Sequence, residues 1–319
     1  MESKSRDITN EPGKAAPFVS VVIPTYGRPE VLADTIRYLL AQDYPRYEII
    51  VVDQTEETAA ARRAPVFDDA QVSYVTIRER GPQAAKNFGI GRARGDIILT
   101  VDDDIIPEPD LIAQHVKNYD DPKIGAVGGR VFSPGEGETD HRTIGVVKPN
   151  GIVVGNYTSR RKKPIYTVFG CNFSFRKAAF ETVGQYDTRY IGNFVREETD
   201  LCARIIKAGY TIIFEPGARV IHLRAPSGGC RVDNDLLWQF YFLHNNTLFF
   251  LSHMKRWFLP FFLFEHLRRS FVYFYHHGKE PAMLLFLIRG MYLGVRTYRT
   301  GVVDTALLDR YLAAAERSR

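Results

Sequence analysis

The apolar positions of the first hundred residues fall into two alternating rhythms. Phe18 to Ile23 is an apolar run interrupted only by Ser20 and closed by Pro24. Tyr47 to Val52 ends on Asp53, and Val72 to Ile77 forms a third run. Ile97 to Val101 leads straight into Asp102, Asp103 and Asp104. Runs of this length with no polar alternation predict strands buried on both faces. Between them Val31, Leu32, Thr35, Ile36, Leu39 and Leu40 recur at helical spacing, and Gln83 to Arg92 reads as a helix after the break at Gly81-Pro82. Strands and helices in this order predict an α/β protein with a Rossmann-like, doubly wound, mostly parallel sheet flanked by helices. Ligands of such sheets bind beyond the carboxyl ends of the strands. Those ends carry Pro24-Thr25-Tyr26, Asp53-Gln54 and Asp102 to Asp104.

The pattern loosens from Val131 to Val168, where glycines and the basic cluster Arg160 to Lys163 predict loops and short strands. Order returns from Gly170 to Ala179. A helix follows over Glu197 to Ala208, with Leu201, Ile205 and Ile206 on its buried side, then strands over Tyr210 to Phe214 and Arg219 to Ile221. After Ser227-Gly228-Gly229 the chain becomes helical, aromatic and basic. The predicted organisation is a flexible segment at 1–17, a catalytic-type α/β domain at 18–226 and a helical extension at 227–319.

Apolar residues at 45% and charged residues at 25% exclude disordered and fibrous classes. The net charge of +5 hides an asymmetry, because from Arg224 onward 13 Lys/Arg face 7 Asp/Glu. That bias predicts a polyanionic partner. Of the 40 aromatic residues, 15 fall between Trp238 and His277, in runs such as Phe261-Phe262-Leu263-Phe264. Nucleic-acid modules space their aromatics singly, so the expectation is a membrane surface and no nucleic acid. A buried helical cap would also be aromatic, yet the basic excess favours helices lying in the membrane plane. The stretch Leu248 to Phe264 is cut by His253, Lys255, Arg256 and Pro260, so no spanning helix is expected. The first residues hold no apolar segment of the signal-peptide kind. Cys171, Cys202 and Cys230 form no CxxC pair, which fits a reducing compartment.

Three adjacent carboxylates at a strand end repel one another unless a cation is near. In extended backbone Asp102 and Asp104 point to one side, and oxygen ligands suit Mg²⁺ or Mn²⁺. A solvated acidic loop is the alternative reading.

At this point the chain resembles glycosyltransferase family 2. The motifs that carry the likeness are Val19 to Arg28, Asp53, Lys86-Asn87 with Gly89, Gly95-Asp96 and the Asp102 to Asp104 string. Gly170-Cys171-Asn172, Val183 to Asp187, Glu197 to Leu201, Arg204, Gly209-Tyr210, Pro216 and His222 complete the set. The resemblance implies a GT-A fold. It implies that Pro24, Thr25, Tyr26 and Arg28 line a nucleotide pocket, that Asp53 accepts a hydrogen bond from the base, and that Lys86 and Asn87 lie near the nucleotide. Asp102 would contact the ribose or donor sugar, Asp103 would contribute charge, and Asn172 would lie in the loop contacting the sugar. Asp104 would ligate Mn²⁺ or Mg²⁺, with Asp102 and His222 as further ligands. Glu198 would be the catalytic base and Glu197 its orienting partner, although the family more often has Asp at the second place.

The implied activity is inverting transfer from a nucleotide-diphosphate sugar, UDP-linked by expectation, to a hydroxyl of a glycan or lipid-linked acceptor. The implied location is the cytoplasmic face of a membrane, with an oligomer possible. Two readings compete with it. A sugar-nucleotide nucleotidyltransferase would want a Gly-rich basic loop where Thr25-Tyr26-Gly27-Arg28-Pro29 stands. A non-catalytic sugar-binding or scaffold subunit would not need the intact acidic residues.

Overall fold

The computed structural model describes residues 16–56, 64–226, 228–229, 231–277 and 280–316. Most of the expected lead-in, and Cys230, lie outside the described residues. Four strands open the sheet in parallel: β1 (Val19–Thr25), β2 (Tyr47–Asp53), β3 (Val72–Thr76) and β4 (Ile97–Val101), in the order β3-β2-β1-β4. Alternate side chains divide between two cores. Val19, Val21 and Ile23 pack under α1 (Pro29–Leu40), which turns Leu32, Ile36 and Leu39 inward. Val22, Ile50 and Val52 meet Ala85 and Ile90 of α2 (Pro82–Arg92) on the other face. Gly89 permits that approach, since a Cβ there would come within 2.6 Å of Val22.

The second half adds β5 (Ile105–Pro107), α3 (Leu111–Val116), β6 (Ile124–Phe132), the hairpin β7 (Val146–Val147) and β8 (Val153–Val154), and β9 (Lys163–Ile165). It continues through β10 (Asn172–Arg176), α4 (Lys177–Val183), α5 (Glu197–Lys207) and β11 (Thr211–His222). The sheet extends from β4 through β10, β6 and β11 to β5, with β9 also on β11. β10, β5 and β9 run antiparallel to their neighbours. The two strands expected at 210–214 and 219–221 are one strand, β11, whose register shifts between Glu215 and Arg219. A bulge at Pro216-Gly217 lets it bend and continue.

The C-terminal part is a packed cap: α6 (Asp235–His253), α7 (Leu259–His276), α8 (Pro281–Thr300) and α9 (Thr305–Glu316). Gly290 and Gly294 let α8 lie against the backbone of α6 at Phe240 and His244. Phe240, Phe249, Phe250, Phe262 and Phe286 are buried, and Leu248 and Phe249 pack with Tyr190 of the α/β part. Many aromatics that suggested a membrane face are therefore spent in the core of the cap. Trp257, Phe261, Phe264, Phe271 and Tyr275 remain exposed, at 56–69%. The stretch Leu248 to Phe264 is divided between α6, which ends at His253, and α7, and no helix among the described residues is long and apolar enough to cross a membrane.

Candidate active site

β1 and β4 end side by side, and the acidic turn after β4 is held by the loop after β1. Thr25 Oγ1 donates to Asp103 Oδ2 at 2.6 Å, and Arg28 Nη1 donates to Asp103 Oδ1 at 2.9 Å. Thr35 Oγ1 donates to the Asp103 carbonyl at 2.9 Å and accepts from the Ile105 amide at 3.2 Å. Asp103, expected to contribute mainly charge at the donor site, is thus the buried anchor of the turn. Burial raises its pKa to about 6, against the lowering effect of Thr25 and Arg28. Asp104 Oδ2 accepts from the Ala225 amide at 2.8 Å and lies 3.4 Å from Arg28 Nη1. Arg28 Nη2 also donates to the Gly228 carbonyl at 2.9 Å, which draws the segment after β11 over the acidic turn.

Asp102 and Asp104 converge on His222 at the end of β11, brought together by a turn rather than by extended backbone. His222 Nε2 lies 3.0 Å from Asp104 Oδ1 and 3.6 Å from Asp102 Oδ2. Burial works to lower the His222 pKa, but the two carboxylates outweigh it and raise it. Asp104 Oδ1 is buried against His222 Nε2 without good hydrogen-bond geometry, and His222 Nδ1 is buried without a partner. Two carboxylates and an imidazole form a donor set that fits a hard divalent cation, and a cation would satisfy that oxygen. Cys171 Sγ groups with Asp102 and His222, their ligand atoms lying within 4.8 Å of one another. Burial and the neighbouring acids push its thiol pKa well up, so the sulfur stays protonated and a poor ligand.

A cleft of about 450 Å³ runs from this turn to the amino end of α5. Pro24, Thr25, Tyr26, Arg28, Gln54, Lys86, Asp102 and Asp103 line it on the sheet side; Phe169, Gly170, Arg196, Glu197 and Glu198 line the other. Lys86, expected near a nucleotide, instead pairs with Glu197: its Nζ donates to Oε1 at 2.5 Å, with both side chains buried. Burial works against the Lys86 charge, yet Glu197 outweighs it and raises the Lys86 pKa. Glu197 Oε2 is buried without a partner, and burial raises the Glu197 pKa to about 7 despite Lys86. Glu198 is half-buried at the cleft, and burial raises its pKa too. It lies so near Gly170 that a Cβ there would run into Glu198 Oε1.

Five sequence-derived candidates do not line the cleft: Asp104 and His222, which meet behind the acidic turn, and Asp53, Asn87 and Asn172. Asp53 is buried at the end of β2, where Oδ1 accepts from the Thr55 amide at 2.8 Å and Oδ2 from Tyr74 Oη at 2.5 Å. Asn87 exchanges hydrogen bonds with the backbone of Tyr186. Asn172 is fully buried within the sheet: Oδ1 meets His115 Nε2 at 2.7 Å, and Nδ2 donates to the carbonyls of Arg130 and Ala218. The antiparallel placement of β10 between β4 and β6 turns it away from the cleft. Sequence reasoning passed over Arg196, which lines the cleft directly before Glu197; its adjacency to two acids was the available signal.

The fold is of GT-A type, and sequence comparison places the chain in a family. Residues 20–184 match the model of glycosyl transferase family 2, and residues 151–225 match that described as the N-terminal domain of galactosyltransferase. The chain belongs to glycosyltransferase family 2. One relative is a glucosyl-dolichyl phosphate glucuronosyltransferase of Haloferax volcanii, 30% identical over 64% of this chain and 68% of its own length. Another is a poly-beta-1,6-N-acetyl-D-glucosamine synthase of Staphylococcus aureus, 27% identical over 62% of this chain and 48% of its own. The chain spans 18–68% of the lengths of the curated relatives it matches. Among solved structures, the mannosyltransferase PcManGT from Pyrobaculum calidifontis, in complex with GDP-Man and Mn²⁺, shares the fold with a TM-score of 0.55. It is 21% identical, and the match covers 97% of this chain and 90% of that one.

Proposed function

We propose that the chain transfers a sugar from a nucleotide-diphosphate sugar to a hydroxyl of a glycan or lipid-linked acceptor, with inversion to a β-linkage. The observation that carries this reading is the division of labour at α5. Glu197 is neutralised by Lys86, whereas Glu198 lacks a salt-bridge partner among the described residues and faces the cleft. Glu198 is the base that takes the proton of the acceptor hydroxyl; its raised pKa brings it nearer to neutrality, where a general base works best. Mn²⁺ or Mg²⁺ would be held by Asp102, Asp104 and His222 and would supply positive charge for the departing diphosphate. Pro24, Thr25, Tyr26 and Gln54 bind the nucleotide, and Arg28 fixes the acidic turn they face. Calorimetric titration with UDP and GDP, each with and without Mn²⁺, tests the donor end. Metal-dependent binding of either nucleotide supports the reading and its preference selects the donor; binding of neither refutes it.

The acceptor is lipid-linked and the protein works at the cytoplasmic face of a membrane. What supports this is the exposed face of α7, where Phe261, Phe264, Phe271 and Tyr275 project at helical spacing, together with Trp257, Lys255 and Arg256 in the turn before it and Arg268 on the helix. Such a face suits the headgroup boundary of an anionic bilayer. Flotation with phosphatidylglycerol vesicles checks it: wild type floats, and Trp257→Ser combined with Phe261→Ser and Phe264→Ser stays at the bottom.

A further inference from the structure

Three cations line the cleft, and two have their charges answered. Arg28 faces Asp103 and Lys86 faces Glu197. Arg196 has no carboxylate within 4.0 Å among the described residues. Its partners are neutral: Asn246 Oδ1 accepts from Nε at 2.9 Å and from Nη2 at 2.8 Å, and the Gly151 carbonyl accepts from Nη2 at 3.1 Å. Nη1 takes part in none of these bonds. The guanidinium also lies 6.0 Å from the ring centre of Phe249. Only 8% of the residue is exposed, and its backbone is left-handed, with φ of 85°. Burying a charge among neutral acceptors is costly, with the longer-range field of Glu198 offsetting part of it, and left-handed backbone at a non-glycine residue adds to that cost. Such costs accumulate at functional sites.

The surroundings say which end of the cleft an anion would occupy. Arg196 directly precedes Glu197 and Glu198 and is anchored by the β7–β8 turn and the cap, away from the acidic turn that serves the donor. Its anchor Asn246 precedes Thr247 and Phe250, which help to line a groove of about 560 Å³ among α6, α7 and α8 whose wall is mostly apolar, with Arg256 and Arg299 also lining it. Phe250 and Phe262, both in that groove, lie against Gly151, the other anchor of Arg196. A cation beside the base and a hydrocarbon-lined groove beside its anchors suit one ligand that has both a phosphate and an apolar chain.

We propose that Arg196 binds the phosphate of a lipid-linked acceptor, whose hydrocarbon chain lies in the groove among α6, α7 and α8. The proposal rests on the transferase reading and names the acceptor chemistry of the same site. The guanidinium fork matches phosphate oxygens bidentately, and the surrounding low dielectric strengthens each bond.

Full-length protein is titrated with farnesyl phosphate, farnesol and inorganic phosphate, and separately with UDP or GDP and Mn²⁺. Wild type is expected to bind farnesyl phosphate more tightly than farnesol or inorganic phosphate. Arg196→Gln should weaken farnesyl phosphate about 10- to 100-fold, the range for a lost charge-assisted bond, and leave farnesol and nucleotide binding unchanged. Ile288→Arg, at an exposed position in the groove wall, should weaken both prenyl compounds and spare inorganic phosphate. Asn246→Ala should give part of the Arg196→Gln loss, and Arg196→Lys should restore part of the affinity. Thermal melting confirms that each variant folds. Equal farnesyl phosphate affinity in wild type and Arg196→Gln overturns the site. Loss of nucleotide binding with farnesyl phosphate unaffected reassigns Arg196 to the donor. Equal affinity for inorganic and farnesyl phosphate overturns the lipid part. If wild type binds nucleotide but fails these arms, this inference alone falls; if it binds no nucleotide, the transferase reading falls with it.

Discussion

Replacing Lys86 by Met removes one half of a buried ion pair while keeping the volume that α2 places beside Tyr186. The side chains of Lys86 and Glu197 are only 3% and 4% exposed and meet at 2.5 Å. Deleting one partner of such a pair leaves an uncompensated charge, at a cost of about 3–5 kcal/mol. Unfolding entropy of about 2.1 cal/mol/K per residue, over roughly 300 residues, gives ~0.6 kcal/mol/K and a melting point lower by about 5–8 °C. The effect has a pH signature. Burial already holds Glu197 above the ordinary carboxylate range, at about 7, and losing Lys86 raises it further. The folded protein then binds a proton more tightly than the unfolded chain, so the variant's stability is fullest below the unfolded carboxylate pKa and is lost as pH rises through the folded one. Denaturant unfolding should show a deficit that grows from pH 5 to pH 8. Lys86→Met combined with Glu197→Gln should be more stable than Lys86→Met alone. A deficit below about 1 kcal/mol, or one independent of pH, would refute the ion pair as the support of the α5 amino end.

Glu198→Gln is expected to keep nucleotide affinity and lower transfer by about 10²–10⁴-fold; near-normal turnover would move the base to Glu197. Gly170→Ala should impair transfer with little loss of stability, because the added Cβ meets only the movable end of Glu198. Unchanged turnover in that variant would place Glu198 outside the reaction. His115, His244 and His266 are each lowered to about 4, chiefly by burial. Their neutral forms favour the fold fully above pH 6.5, and that stability is lost as pH falls toward 4, at up to about 1.4 kcal/mol per pH unit for each. A denaturation midpoint unchanged between pH 7 and pH 5 would contradict this.

Much of the site was legible because strand periodicity is local. The runs ending at Thr25 and Val101 required buried parallel strands, and parallel strands bring their carboxyl ends together. Glu197 and Glu198 were legible as a pair, but not their difference, which depends on Lys86 arriving from 111 residues away. Asn172 reads from its motif as a sugar contact, yet the register of β10 turns it toward His115. Arg196 carried only its adjacency to Glu197 and Glu198 as a signal, since its partners Gly151 and Asn246 lie 45 and 50 residues distant.

The aromatic C-terminal third marks the same limit. Sequence counts Phe240, Phe249, Phe250 and Phe262 with Trp257, Phe261 and Phe264, because burial is invisible in composition. Packing of α6 against α8 separates them into a core and an exposed face. By itself the sequence determined the alternation of elements, the acidic turn at the carboxyl end of β4 and the family, all written in periods of two to four residues or in short motifs. The tertiary structure decided which acid is neutralised, which carboxylate anchors the turn and which aromatics face outward. Those depend on distances between side chains far apart in the chain, and only the folded backbone sets them.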